Sequence, residues 1–390
     1  MPETLPETLP ETMPETPAST RSGKQRTVVV KIGTSSLTND EGIIDTTAVA
    51  KLCGEVAQLR QADTRVVVVT SGAIAAGLPE LGLGGDRRPT DATTLQAVSA
   101  VGQISLMRVY KAAFAEHELV VGQALLAPLD FTIRSQYLHA RNTLARLLDL
   151  GVVPIINEND AIADDEIRFG DNDRIAALVS HLVGADELVL LTDTAGLLTA
   201  DPRVDSSASL IEEIVEFDQQ LEALAGAPGT VRGSGGMASK ISAAKIASWS
   251  GVRSVIADAS RTDVLRDAVN HEAGVGTVVV AREQQLNARK LWIAFAVGSV
   301  GKVHVDRGAV TALRDGGRSL LLAGVTDVSG SFESRDAVEI VGPSGEVFAK
   351  GLVRQSSTEL ATNAGKRSID GGDGVKPIAV HRDDLVMLPD

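Results

Sequence analysis

From Arg26 onward the chain alternates short Val-rich runs with amphipathic stretches. The runs are TVVVKI, RVVVVT, LVVGQALL, VVPII, ELVLLT, VRSVIA and GTVVVA; the stretches include TTAVAKLCGEVAQLR and SQYLHARNTLARLLDL. Continuous apolar strands need cover on both faces, and helices in right-handed crossovers supply it. The pattern predicts an α/β fold, a sandwich with a mainly parallel central sheet covered by helices. Ligands of such sheets sit beyond the carboxyl ends of the strands. The unusual loops fall there: KIGTSS at 31–36, TSGAIAAG at 70–77, NEND at 157–160 and TDTAG at 192–196.

After about residue 284 the texture changes. From Ala296, short alternating strands (KVHVD, SLLLAGV, AVEIVG, EVFAKGLV) are separated by the Gly-rich turns DGG, GPSG and GGDG, which predicts a small C-terminal β-barrel-like domain. At the other end, MPETLPETLPETMPETP repeats a Pro-Glu-Thr unit with too little apolar surface to fold, so it is expected to be disordered. The expected division is a tail at 1–23, the α/β domain at 24–284, a linker at 285–297 and the barrel-like domain at 298–390.

Charge and composition narrow the function. A net charge of −14 argues against bulk binding of a phosphate backbone, which needs a positive face, although a local basic patch stays open. The single cysteine, Cys53, rules out an intrachain disulfide, and its spacing with Val49, Leu52, Val56 and Leu59 marks a helix core position. No apolar run reaches membrane-spanning length and the first residues lack a signal peptide's basic and apolar regions, so a cytoplasmic protein that avoids membranes is expected.

Between Asn157 and Asp173 the sequence NENDAIADDEIRFGDND holds seven acids and one base, directly after the apolar run GVVPII. Both ends, NEND and GDND, set Asn between acids. Carboxylates and amide oxygens suit the ammonium of a small zwitterion, and amide N–H groups suit its carboxylate. Two Gly-rich segments offer phosphate chemistry. KIGTSS brings an ammonium, backbone N–H groups and hydroxyls to one point. In GSGGMASK glycines admit an anion to the start of a helix, with Lys240 in its first turn. Neither segment is a Walker A or GxGxxG motif. No cluster has metal-ligand spacing. LTDTAGLLTADPR, after a strand, makes a turn suited to wrapping a nucleotide.

In order along the chain, VVVKIGTSSLT, VVVVTSGAIAAG, VVPIINENDAI, FGDNDRIAALVS, LLTDTAGLLTADPR and GSGGMASK resemble the glutamate 5-kinases of the amino acid kinase superfamily. The C-terminal piece resembles the PUA domain that many of them carry. Together the likeness covers roughly residues 26 to 385. It implies ATP-dependent phosphorylation of the side-chain carboxylate of L-glutamate, the first step of proline synthesis, with Mg²⁺ held largely by ATP phosphates and water. Carried onto this sequence, Lys31, Lys240 and Asp173 are the catalytic positions, Asp173 orienting the two lysines. Ser71, Asp160 and Asn172 are the glutamate-binding ones. ATP is assigned to Lys31, Thr192, Asp193, Ser234, Gly235, Gly236, Met237, Ala238, Ser239 and Lys240. Asp171 adjoins the site, with binding and supporting roles both open. Both lysines are expected to face solvent in the empty site.

The resemblance further implies feedback inhibition by proline, a homo-oligomer and contact with the next enzyme of the pathway. One departure is Leu198, where the family's GLYT stretch commonly has an aromatic. Two alternatives stay open: another superfamily kinase acting on acetylglutamate, aspartate, carbamate or UMP, and an RNA-binding PUA protein. Against the second, residues 299–390 hold eleven Lys plus Arg against thirteen Asp plus Glu, with no Trp or Tyr.

Overall fold

A computed structural model describes residues 25–131, 133–162, 172–200, 205, 207–217, 221, 236–283, 286–366 and 378–388. The Pro-Glu-Thr tail, the acidic middle at 163–169, Asp171, Ser234 and Gly235 lie outside these.

Eight strands form the first sheet: β1 (Thr27–Ile32), β2 (Arg65–Thr70), β3 (Val121–Leu126), β4 (Val153–Glu158), β5 (Glu187–Thr192), β6 (Glu213–Ile214), β7 (Arg253–Asp258) and β8 (Gly276–Val279). Their order is β3-β4-β2-β1-β5-β7-β8-β6. Every pair from β3 to β7 is parallel. The run GTVVVA, read as one more strand of the parallel series, instead makes β8, antiparallel to β7. The helix between them, α7 (Val264–Val269), has six residues. That is about 9 Å of rise against about 20 Å for a strand of the same count, too short to carry the chain back across the sheet.

Alternation along the strands sends side chains to two cores. Val28, Val30 and Ile32 of β1 join Val66 and Val68 against one face, covered by α1 (Thr46–Gln61) and α3 (Ala92–Ala115). α1 starts where Asp45 caps the N–H groups of Thr47 and Ala48, and it buries Val49, Leu52, Cys53, Val56 and Leu59 at helical spacing. Burial pushes the Cys53 thiol far up, which makes it inert. Val29, Val67 and Val69 face the other way, under α4 (Arg134–Asp149), α5 (Asn172–Val183) and α6 (Met237–Trp249). Lys31 shares the parity of Val29, so its side chain enters the α5 face.

α2 (Ala73–Glu80) begins at Gly72, whose φ of 101° is left-handed. It crosses α3 at backbone contact. A Cβ on Gly102 would stand 1.7 Å from the Ala73 carbonyl oxygen, and one on Gly77 would stand 2.1 Å from that of Val98. Only glycine permits this approach, and it draws α3 up to the end of β2.

α8 (Ala288–Leu291) and the π-helical turn Trp292–Ala296 lead into the second sheet. Leu291 is buried in the core beneath α5, and Ile293 packs on Leu352 and Val386. Beyond lie β9 (Gly301–Val305), α9 (Arg307–Arg314), β10 (Leu320–Leu321), β11 (Val325–Gly330), β12 (Ala337–Val341), β13 (Val347–Val353), α10 (Ser357–Asn363) and β14 (Ile378–Met387). The strand order is β10-β14-β13-β12-β9-β11, antiparallel except for β9 with β12. The strands and helices enclose a core of their own that includes Val303, Leu322, Phe332, Ile340, Phe348 and Leu360. Among the described residues no helix is long and apolar enough to cross a membrane.

Candidate active site

Asp173, in the first turn of α5, is wholly buried between two lysines. Lys31 Nζ lies 2.6 Å from its Oδ1 and Lys240 Nζ lies 3.5 Å from its Oδ2, which also accepts a 2.6 Å hydrogen bond from Ser239 Oγ. Burial alone would raise this carboxyl; Lys31 and Lys240 outweigh it and hold the group below the usual aspartate range. The helix N-terminus adds to the same effect. Burial lowers the Lys240 ammonium against the pull of Asp173, while Lys31 lowers it further as a like charge. The lysines come from different elements, the end of β1 and the start of α6, so the sheet fold itself brings them to one anion.

The expectation that these lysines face solvent is corrected here. Lys31 is 3% exposed and Lys240 4%. Asp173 offsets one of their two charges, and two cations gathered this closely need such an anion to be buried.

Beside this cluster lies a polar network built from amides and hydroxyls. Asn172 Nδ2 donates to Ser71 Oγ at 3.2 Å and to Asn157 Oδ1 at 3.0 Å, and its Oδ1 accepts from the Glu158 N–H at 3.1 Å. Ser71 sits in the turn between β2 and α2; the helix cap itself is Gly72. Asp160 opens a 3₁₀ turn after β4 and accepts a short hydrogen bond from Ser99 Oγ. Burial raises its carboxyl above the usual range, opposed by that Ser99 bond.

Sequence reasoning missed the α3 side of this network. Ser99 and Gln103, one turn apart, are buried there. Gln103 Oε1 accepts from Gln123 Nε2 at 2.8 Å and from Asn157 Nδ2 at 3.5 Å. The only local signal would have been two polar residues on the apolar face that holds Val98, Gly102 and Leu106.

Thr192 and Asp193 end β5, the Thr192 hydroxyl donating to Asp193 Oδ1 at 3.2 Å. They border a cavity of about 460 Å³ that Ser35, Lys51 and Asp258 also line. Gly236 caps α6, and Met237, Ala238, Ser239 and Lys240 form its first turn, beside Asp173. The structure therefore gathers the two lysines, Asp173 and the start of α6 into one place, with Ser71 and Asn172 next to it. Asp160 joins them through α3, and Thr192 with Asp193 lies along the neighbouring strand end.

The chain belongs to the amino acid kinase family, which residues 26–258 match, and residues 301–371 match the PUA domain. Its relatives are more particular. The glutamate 5-kinase of Herminiimonas arsenicoxydans is 45% identical over 365 residues, covering 93% of this chain and 97% of its own. That of Nitrosospira multiformis is 45% identical over 370 residues, covering 94% and 98%.

Proposed function

We propose that this protein is a kinase that transfers the γ-phosphoryl group of ATP to the side-chain carboxylate of L-glutamate, giving L-glutamyl 5-phosphate and ADP. The observation that carries the reading is the Lys31–Asp173–Lys240 cluster set against an amide-rich hydrogen-bond network, in a chain 45% identical to a glutamate 5-kinase. A glutamate carboxyl titrates near 4.3 in water, so the nucleophile is already ionised at neutral pH and needs no general base. One of its oxygens forms a bond to the γ-phosphorus while the bond to the β,γ-bridging oxygen breaks, and ADP leaves with the electron pair.

What the protein supplies is alignment and charge. Lys31 and Lys240 would hold the transferring phosphoryl group from two sides, and Asp173 fixes the distance between them. Ser71 and Asn172 would meet the α-carboxylate and Asp160 the α-ammonium. The start of α6 and the segment at Thr192 and Asp193 would receive ATP. Among the described residues no group of three or more His, Cys, Asp or Glu stands together to hold a metal ion. Mg²⁺ is assigned to the MgATP substrate, carried by its phosphates and water, and no step is routed through a protein-held ion. The reading extends to a cytoplasmic homo-oligomer of the proline pathway, inhibited by proline through the same α-amino and α-carboxyl contacts and meeting the next enzyme of that pathway. It also keeps 24–284 as the catalytic unit, 285–297 as linker and 298–390 as the PUA-like unit.

The test is direct. Purified protein with MgATP and L-glutamate, trapped by hydroxylamine, should yield γ-glutamyl hydroxamate. No product with glutamate, together with turnover of acetylglutamate, aspartate, carbamate or UMP, would overturn the assignment.

A further inference from the structure

A groove of about 610 Å³, lined by none of the lysine-cluster residues, opens where the linker meets the second sheet. Three arginines line it, each from a different segment: Arg289 on α8, Arg335 in the turn before β12, and Arg354 just after β13. Arg289 Nε donates to Asp384 Oδ1 of β14 at 2.7 Å, which answers its charge. Among the described residues neither Arg335 nor Arg354 has an ion-pair partner. Three arginines against one aspartate leave two positive charges in this groove, on a chain whose net charge is −14.

The arrangement is held in place. Arg335 has φ 79°, a left-handed conformation that side chains other than glycine, Asn and Asp seldom adopt. Its N–H donates to the Val353 carbonyl at 2.8 Å, and Asp336 Oδ2 accepts from the Glu333 N–H at 2.8 Å, so the turn is pinned to β13. A glycine would suit that backbone better; the position carries a guanidinium instead. On the linker side Trp292, packed against the core by part of its ring, lines the same groove.

From these groups we propose that the groove binds a small phosphate monoester. Such a group carries nearly two negative charges at neutral pH, which matches the two unanswered guanidinium groups, and their planar forks fit its oxygens. The remaining volume and Trp292 would take the apolar or planar body of the ligand. α8, which supplies Arg289, also packs on α5. The proposal stands independently of the phosphoryl-transfer reading, because binding here is measured without turnover.

The experiment titrates phenyl phosphate into full-length protein carrying Trp249→Phe, which leaves Trp292 as the sole tryptophan. Sodium chloride at equal ionic strength is the control, and calorimetry on the otherwise native chain repeats the measurement without that substitution. A saturable change in Trp292 emission is expected, weakened about tenfold by Arg335→Gly and again by Arg354→Gln, since a hydrogen bond to a charged group carries about that factor. Arg335→Gly relieves the left-handed strain, so loss of binding there is not loss of folding. Lys240→Met should leave the signal intact, which separates the groove from the ATP site. A response that does not saturate, that chloride reproduces, or that survives Arg335→Gly with Arg354→Gln overturns the proposal. Displacement of phenyl phosphate by an RNA oligomer at far lower concentration would assign the groove to RNA and overturn it too.

Discussion

Asp173 and Glu187 are both shut off from solvent, and each lies between two cationic side chains, yet they are built for different ends. Glu187 begins β5 at the amino-terminal rim of the sheet and meets Arg26 at 3.1 Å and, more closely, Arg253. Both arginines also hold backbone: Arg26 Nη1 donates to the Val269 carbonyl at 2.6 Å and Arg253 Nη1 to that of Ala268 at 3.4 Å. Asp173 at the opposite rim is held by lysines, compact charges on flexible stems with three donors each. Their ammonium groups can turn from a carboxylate toward a phosphate, whereas the arginine forks are tied to the chain. The titrations diverge as well. Burial pushes Glu187 up to about 7 against the pull of Arg253 and Arg26, while the lysines keep Asp173 low. Two buried anions of the same outward composition thus separate into a clasp for the fold and, on the proposed function, a holder for a reaction.

The comparison breaks most visibly in turnover. Asp173→Asn or Lys31→Met should lower kcat by about 10³ or more, and Glu187→Gln should leave it within about twofold, as measured by initial rates of hydroxamate formation on protein shown to be folded by circular dichroism. Comparable losses from both rims would erase the distinction. Removing one partner of the buried Lys31–Asp173 pair should also destabilise the fold by about 3–5 kcal/mol, so the folded fraction must be measured.

Next in size is a pH effect on stability. An acid whose carboxyl is higher in the folded state than in the unfolded chain binds more protons when folded, so its contribution falls as pH rises through that window. Between its ordinary value of 4.5 and about 7, Glu187 should cost the wild type up to about 3 kcal/mol relative to Glu187→Gln. Urea unfolding of both proteins at pH 5 and pH 8 reads this difference, and parallel pH dependence in the two would refute it.

Smaller still are effects on glutamate affinity. Asp160→Asn should raise the glutamate KM by about 10–100-fold with little change in kcat, the scale of a lost charged hydrogen bond. Because Asp160 is raised and Asp173 lowered, acidifying the wild type should raise KM before kcat declines. A simultaneous fall in both would misplace the pocket. The smallest change is expected from Ser99→Ala. It should raise KM about fivefold and move that acid limb to higher pH, since the Ser99 hydroxyl is what opposes the upward shift of Asp160.

The two rims also differ in how far the amino-acid sequence discloses them. Lys31, Asp173 and Lys240 sit at a strand end and at helix starts, where glycine and hydroxyl neighbours mark a loop with a task. Arg26 precedes a strand and Glu187 and Arg253 begin strands, and nothing local distinguishes them from ordinary surface charges; their meeting depends on which strands become neighbours. Ser99 and Gln103 were illegible for a related reason. They lie inside ATTLQAVSAVGQISLMRVYKAAFA, and their aim depends on α2 reaching α3, a contact between residues 25 positions apart. β8 could not be oriented from GTVVVA, since a short apolar strand reads alike in either direction. The depth of the lysines escaped because burial of a cation depends on an anion from another segment.

The contact of Gly77 with Gly102 reaches beyond packing. The segment leading from Ser71 and the helix bearing Ser99 and Gln103 are locked by peptide against peptide, with no side chain between them to compress or re-rotamerise. The spacing of those two elements is therefore set like a gauge block rather than a spring. On the proposed function, a longer or shorter amino acid would find no give there, and a change of substrate in this scaffold would have to come from the polar groups these elements carry, not from moving the elements apart.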